Sequence, residues 1–69
     1  MDFQLKADQE FIELNKLLKA VSMVGTGGEA KIRIKSGEVV VNDAVEVQVR
    51  KKLRRGDVVV FGEEVIEIH

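Results

Sequence analysis

Two stretches of the chain carry residues suited to chemistry: a glycine-rich segment, Gly25-Thr26-Gly27-Gly28-Glu29-Ala30, and a run of cations, Arg50-Lys51-Lys52-Leu53-Arg54-Arg55. A glycine-rich helix start presents bare backbone N–H groups and the positive end of the helix dipole, which together suit one phosphate. Arginine adds a two-pronged donor for phosphate oxygens, and lysine a mobile point charge. Both stretches therefore point to an anion being held, with no bond made or broken. Between them lie Lys31, Arg33 and Lys35, which the same helix would carry. Five cations among six residues repel one another, and a solvated hairpin tolerates that too, so the run alone does not name the anion.

An active site would need a nucleophile beside a base, carboxylates paired in a cleft, or a set of metal ligands. Ser22, Thr26 and Ser36 have no internal histidine to activate them, because His69 is the only one. Glu63, Glu64 and Glu67 read as an exposed turn and strand. The absence of cysteine removes thiolate metal sites and disulfides. The expectation is therefore no enzyme, no metal, no cofactor and no small-molecule substrate. The glycine segment meets the letters of the dinucleotide fingerprint, but a helix precedes it and the chain is too short for a doubly wound domain. It is not a Walker loop either, since Ala30 and Ile32 flank Lys31 where a glycine and a hydroxyl residue belong.

The net charge of −1 conceals a strong segregation. Residues 1–29 hold three basic and five acidic groups (−2), residues 30–56 hold eight and three (+5), and residues 57–69 hold none and four (−4). One strongly positive face matters more to an anionic partner than the total does. With 69 residues the chain reads as one domain, burying only about 60% of the surface its unfolded form exposes. No apolar run is long enough for a membrane span, and the amino terminus lacks the basic-then-apolar pattern of a secretory signal. A cytoplasmic protein without a membrane role is expected.

These residues need elements to position them. Phe3 and Leu5 alternate with polar neighbours as a short strand. Asp8 is placed to cap a helix whose apolar stripe is Phe11, Ile12, Leu14, Leu17, Leu18 and Val21. Thr26 and Glu29 have the spacing of a capping box, and Gly37 supplies a stop, which brackets a second helix over about 27–36. The alternation Lys31-Ile32-Arg33-Ile34-Lys35 favours a strand instead; the bracketing signals decide for the helix. Strands follow at Glu38–Val41, Ala44–Val49, Asp57–Phe61 and Glu64–Ile68, the first two joined by the turn Asn42-Asp43. Leu53 alone interrupts the cations and is expected to pin them to the core. All three rings, Phe3, Phe11 and Phe61, fall at expected core positions, which disfavours an open platform for stacking bases. The class is α+β, two helices on a small, mostly antiparallel sheet.

This order of features, IELNKLLK, GTGGEAKIRI, SGEVVVND and VRKKLRRGDVV, resembles the RNA-binding domain named after ribosomal small-subunit protein S-four, in its minimal stand-alone bacterial form. The match runs from about Phe11 to Ile68. The resemblance implies the αL motif, two packed helices on a curved sheet, and a grip on structured RNA by the second helix start and the basic hairpin. Carried over, that assigns RNA contacts to Gly27, Gly28, Lys31, Arg33, Lys35, Arg50, Lys51, Lys52, Arg54 and Arg55. Ribosomal RNA, its precursors or an assembly intermediate are the implied targets, with tRNA next, and a monomer is expected. Asn15 stands where many relatives have aspartate, and Asp43 where glycine is usual. Two other readings stay open: a module for an acidic protein partner, and duplex DNA binding, since phosphate contacts alone do not separate the nucleic acids.

Overall fold

A computed structural model describes residues 1–69. In chain order the elements are β1 (Asp2–Phe3), β2 (Ile12–Glu13), α1 (Leu14–Ala20), α2 (Gly27–Lys35), β3 (Val39–Val41), β4 (Ala44–Val45), β5 (Lys52–Leu53), β6 (Val58–Phe61) and β7 (Glu64–Ile68). One sheet has the order β1-β7-β6-β3-β4, parallel at β1–β7 and antiparallel elsewhere. A separate two-stranded ribbon pairs β2 with β5, setting Ile12 opposite Leu53. The two helices pack on each other and close one core of fourteen buried apolar side chains, with Leu14, Leu17, Leu18, Ile34, Leu53 and Ile66 fully enclosed. Each large aliphatic side chain so enclosed stabilises the fold by about 1.5–3 kcal/mol.

The second helix forms as its bracketing signals predict. Glu29 N–H donates to Thr26 Oγ1 at 3.1 Å, the first half of the expected capping box, but the Glu29 carboxylate accepts from Gly25 N–H at 2.9 Å, one residue before the cap, and not from Thr26 itself. Gly37, at φ +83°, ends the helix in the left-handed conformation. Ala30 and Ile34 are buried whereas Ile32 is 69% exposed. A strand would have put both isoleucines on one face; on a helix, two residues apart means about 200° of rotation.

The first helix differs from expectation at its start. Asp8 caps nothing and lies in a turn closed by Gln9 N–H on the Lys6 carbonyl. Ile12 is buried, but from β2, and α1 begins only at Leu14, with Glu13 as a cap residue whose side chain makes no capping bond. The open N–H groups of Leu14 and Asn15 donate instead to the carbonyls of Lys51 (2.9 Å) and Val49 (3.1 Å). The cap is backbone from a distant segment, which no local pattern announces. Phe11 is likewise not a core residue: it is half-buried at the surface, under Lys52 and Arg54. The strand expected over Ala44–Val49 is paired at Ala44 and Val45, with one further bond from Glu46 N–H to the Val39 carbonyl, and goes no further because its neighbour β3 starts at Val39. Val45 and Val47 are exposed. No helix is long and apolar enough to cross a membrane.

Candidate nucleic-acid interface

The cationic run is held by a bond at nearly every step. Leu53 is fully buried, β5 is zipped to β2, and the carbonyls of Val49 and Lys51 are committed to the start of α1. Arg54 N–H donates to Asp57 Oδ2 at 2.8 Å, and Asp57 Oδ1 accepts from the Asn42 amide at 3.0 Å, which ties the end of the run to the β3–β4 turn. That turn places Asn42 and Asp43 at φ +49° and +70°, the left-handed region that Asn and Asp enter more readily than other residues with a Cβ. Lys52 Nζ lies 4.9 Å and the Arg54 guanidinium 5.7 Å from the centre of the Phe11 ring, an attraction worth about 0.5–1 kcal/mol at an exposed site.

Tethering Val49 and Lys51 to α1 brings Arg50 to the open end of α2. There Asn15, Gly27, Lys31, Val49 and Arg50 line a groove of about 380 Å³ with no acidic residue in its wall. Neither Lys31 nor Arg50 takes part in any of the intramolecular ion pairs. A Cβ added at Gly27 would meet nothing within 4 Å, and one at Gly28 only the Thr26 hydroxyl at 3.8 Å. Packing therefore does not demand these glycines, although alanine would favour the helix by about 1 kcal/mol. Their effect is to leave the helix-start backbone bare toward the groove, where an anion can approach. Asp43 does not line it.

The remaining expected contacts divide by their partners. Gly28 adjoins Gly27 at the exposed helix start, and Lys35 is exposed one turn beyond Lys31 on the same flank. Lys51 is half-buried, while Lys52 and Arg54 are exposed beside Phe11. Arg33 projects from the other flank of α2 and is engaged by Glu38 at 3.0 Å and Glu29 at 3.9 Å. The Glu38 carboxyl is held below its usual range first by the Ser36 hydroxyl and then by the Arg33 hydrogen bond. The Arg55 guanidinium donates to the Lys6 and Gln9 carbonyls at 2.9 and 3.1 Å, stapling the loop before β2. Sequence reasoning missed Asn15, Val49 and Phe11. None of the three carried a local signal, since Asn15 sits among the polar residues Glu13 and Lys16 at the head of α1.

A second groove, about 370 Å³, is lined by Arg55, Gly56, Asp57, Val58, Glu67, Ile68 and His69. Beside it Asp2, Glu67 and His69 bring ligand atoms within 4.8 Å of one another, the one grouping able to hold a cation, and all three are exposed.

Residues 4–69 match the sequence pattern of the S4 domain, and the chain belongs to that family. Among solved structures it is similar to YbcJ from E. coli, whose solution structure is described as revealing an αL motif involved in RNA binding. The two share 34% identity and a TM-score of 0.73, over 97% of this chain and 84% of YbcJ. No curated protein matches. The architecture is thus that of the αL motif, as the sequence resemblance implied.

Proposed function

We propose that this chain is a single, non-catalytic RNA-binding domain that grips structured RNA by its phosphates. The observation that carries the reading is the acid-free groove where Gly27 and Lys31 of α2 meet Arg50 of the cationic run. Membership in the S4 domain family and the likeness to an RNA-binding αL protein support it. Lys31 and Arg50 hold the central phosphate together with the bare helix-start N–H groups. Gly28, Lys35, Lys51, Lys52 and Arg54 extend the positive surface along the backbone. Arg33 and Arg55, already paired internally, contribute field more than contact. Ribosomal RNA or a precursor in an assembly intermediate is the target proposed first, with tRNA next, bound by a monomer in the cytoplasm.

Fluorescence anisotropy with a short stem-loop RNA tests this. If about four phosphates are engaged, log affinity falls against log salt with a slope on the order of −3 to −4. Exchanging Lys31→Glu and Arg50→Glu together should remove about two from that slope and leave the thermal melt intact. A flat salt response, or normal binding by that double variant, would refute the electrostatic grip.

A further inference from the structure

The main sheet is apolar on both faces, and the chain covers one of them. Val39, Val41, Val59 and Ile66 lie in the core, beneath the helices. The register sets Val45 opposite Val40, Val40 opposite Val60, and Val60 opposite Val65, so these four form a row on the other face, across β4, β3, β6 and β7. Val58, two residues before Val60, stands beside the row. Val45 is 61% and Val65 45% exposed, and none of the five packs against the core. An antiparallel sheet with one solvated face alternates apolar and polar residues along each strand. Uninterrupted runs such as Val39–Val41 and Val58–Phe61 are instead the pattern of strands covered on both sides. This chain supplies no second cover, because both helices close the core against the opposite face.

The charge around the row decides what can lie on it. Residues 38–47 hold three acidic groups, residues 57–69 hold four, and neither segment has a lysine or arginine. Asp43, Glu63, Glu64 and Glu67 are exposed and belong to no ion pair. Glu67 stands on the valine face itself, between Val58 and Asp2. A second copy laid face to face would set these carboxylates against their like, and a nucleic acid would be repelled in the same way. An apolar patch with an acidic margin is complementary to a protein surface that carries aliphatic side chains between lysines or arginines.

We propose that the outer face of the sheet docks a basic, amphipathic protein segment. Its apolar side chains lie on the row of Val45, Val40, Val60 and Val65, and its cations meet the carboxylates at the margin. An amphipathic helix is suited to this, since helix on sheet is a standard way of burying such a face. The surface lies across the sheet from the helices, apart from the α2 groove, and does not depend on the RNA-binding reading.

Three helical peptides test this by amide NMR titration of the whole chain: leucine with lysine, glutamine with the same lysines, and leucine with glutamate. The leucine/lysine peptide should shift the amides of β3, β4, β6 and β7 to saturation, and the other two should bind about tenfold more weakly or worse. Val45→Thr with Val65→Thr keeps the β-branched shape and removes one methyl group from each side chain. That pair should weaken the leucine/lysine peptide about tenfold, at about fourfold per methyl group, while the melt and RNA affinity stay as in the wild type. Equal binding of the glutamine/lysine peptide would mean that charge acts without the valines, and equal binding of the leucine/glutamate peptide that the partner is not basic. Either result would overturn the proposal, as would no saturation, shifts centred on Lys31 and Arg50, or binding untouched by the threonine pair. A dimer in sedimentation that the threonine pair dissolves would overturn it too, assigning the face to a second copy. If the threonine variant does not fold, the wild-type comparison of the peptides alone decides.

Discussion

The two grooves differ little in volume, about 380 Å³ at the head of α2 and about 370 Å³ beside the carboxy-terminal strand, but they differ in what their walls offer an anion. The first sets Lys31 and Arg50 against a bare helix start, with no acid near. The second sets Asp57 and Glu67 beside Arg55, whose guanidinium is spent on two carbonyls. Arg50 and Arg55 belong to the same cationic run, yet one end of that run is unpaired and the other is a staple. Charge density along a sequence locates a surface; hydrogen-bond partners decide which of its charges remain for a ligand.

The harshest test of this contrast removes the anchor between the two arginines. Leu53→Ala empties a fully buried site and should cost about 2–5 kcal/mol in urea denaturation. Against the roughly 3–10 kcal/mol expected for a chain of this length, that threatens both grooves together. A loss below about 1 kcal/mol, smaller than the lower end of such truncations, would mean the run is not pinned as described.

A finer test truncates each arginine separately. Arg50→Ala should weaken binding of a stem-loop RNA by about 1.5–3 kcal/mol, the range for a charged hydrogen bond, while the melt stays within about 0.5 kcal/mol of wild type. Arg55→Ala should do the reverse, losing about 0.5–1.5 kcal/mol of stability and leaving the salt slope of binding unchanged. Were the two phenotypes exchanged, the assignment of roles would be inverted.

The smallest effect concerns the flank of α2 that faces away from the groove. Glu38 is more acidic in the folded chain than in the unfolded one, because Ser36 and Arg33 bond to its carboxylate. Its contribution to stability is therefore complete above the ordinary glutamate range and disappears as pH falls through the lowered folded value. Glu38→Gln should flatten this acid-side slope in pH-dependent melts without altering RNA affinity at neutral pH. An unchanged slope would remove the Ser36–Glu38–Arg33 linkage as its source.

The sequence made α2 readable because each of its signals is local. Thr26 and Glu29 act within one turn and Gly37 at the other end of the same helix, and the structure uses Thr26 and Gly37 as expected, with Glu29 reaching back to Gly25 rather than to the cap residue. Leu53 was readable for a similar reason, as a lone apolar residue among charges. The head of α1 was not, since its donors find carbonyls on Val49 and Lys51, more than thirty positions away in the chain. Ile12 hid the discrepancy, because a helix stripe and a two-residue strand can bury the same side chain. Phe11 was misplaced for a related cause: hydrophobicity suggests burial, but cations over a ring offer another way to satisfy it. Asn15 matters only once those distant pairings have formed the groove around it.

The main sheet is bordered on each side by a strand only two residues long, β1 and β4. Its most aggregation-prone segment, the uncharged run Val58–Phe61, lies in the middle with both backbone edges occupied. Short borders give a second molecule little to extend, so the fold resists stacking edge to edge into fibrils. Clipping Asp2 and Phe3 would uncover the part of the β7 edge that β1 covers and leave it as a template for self-association.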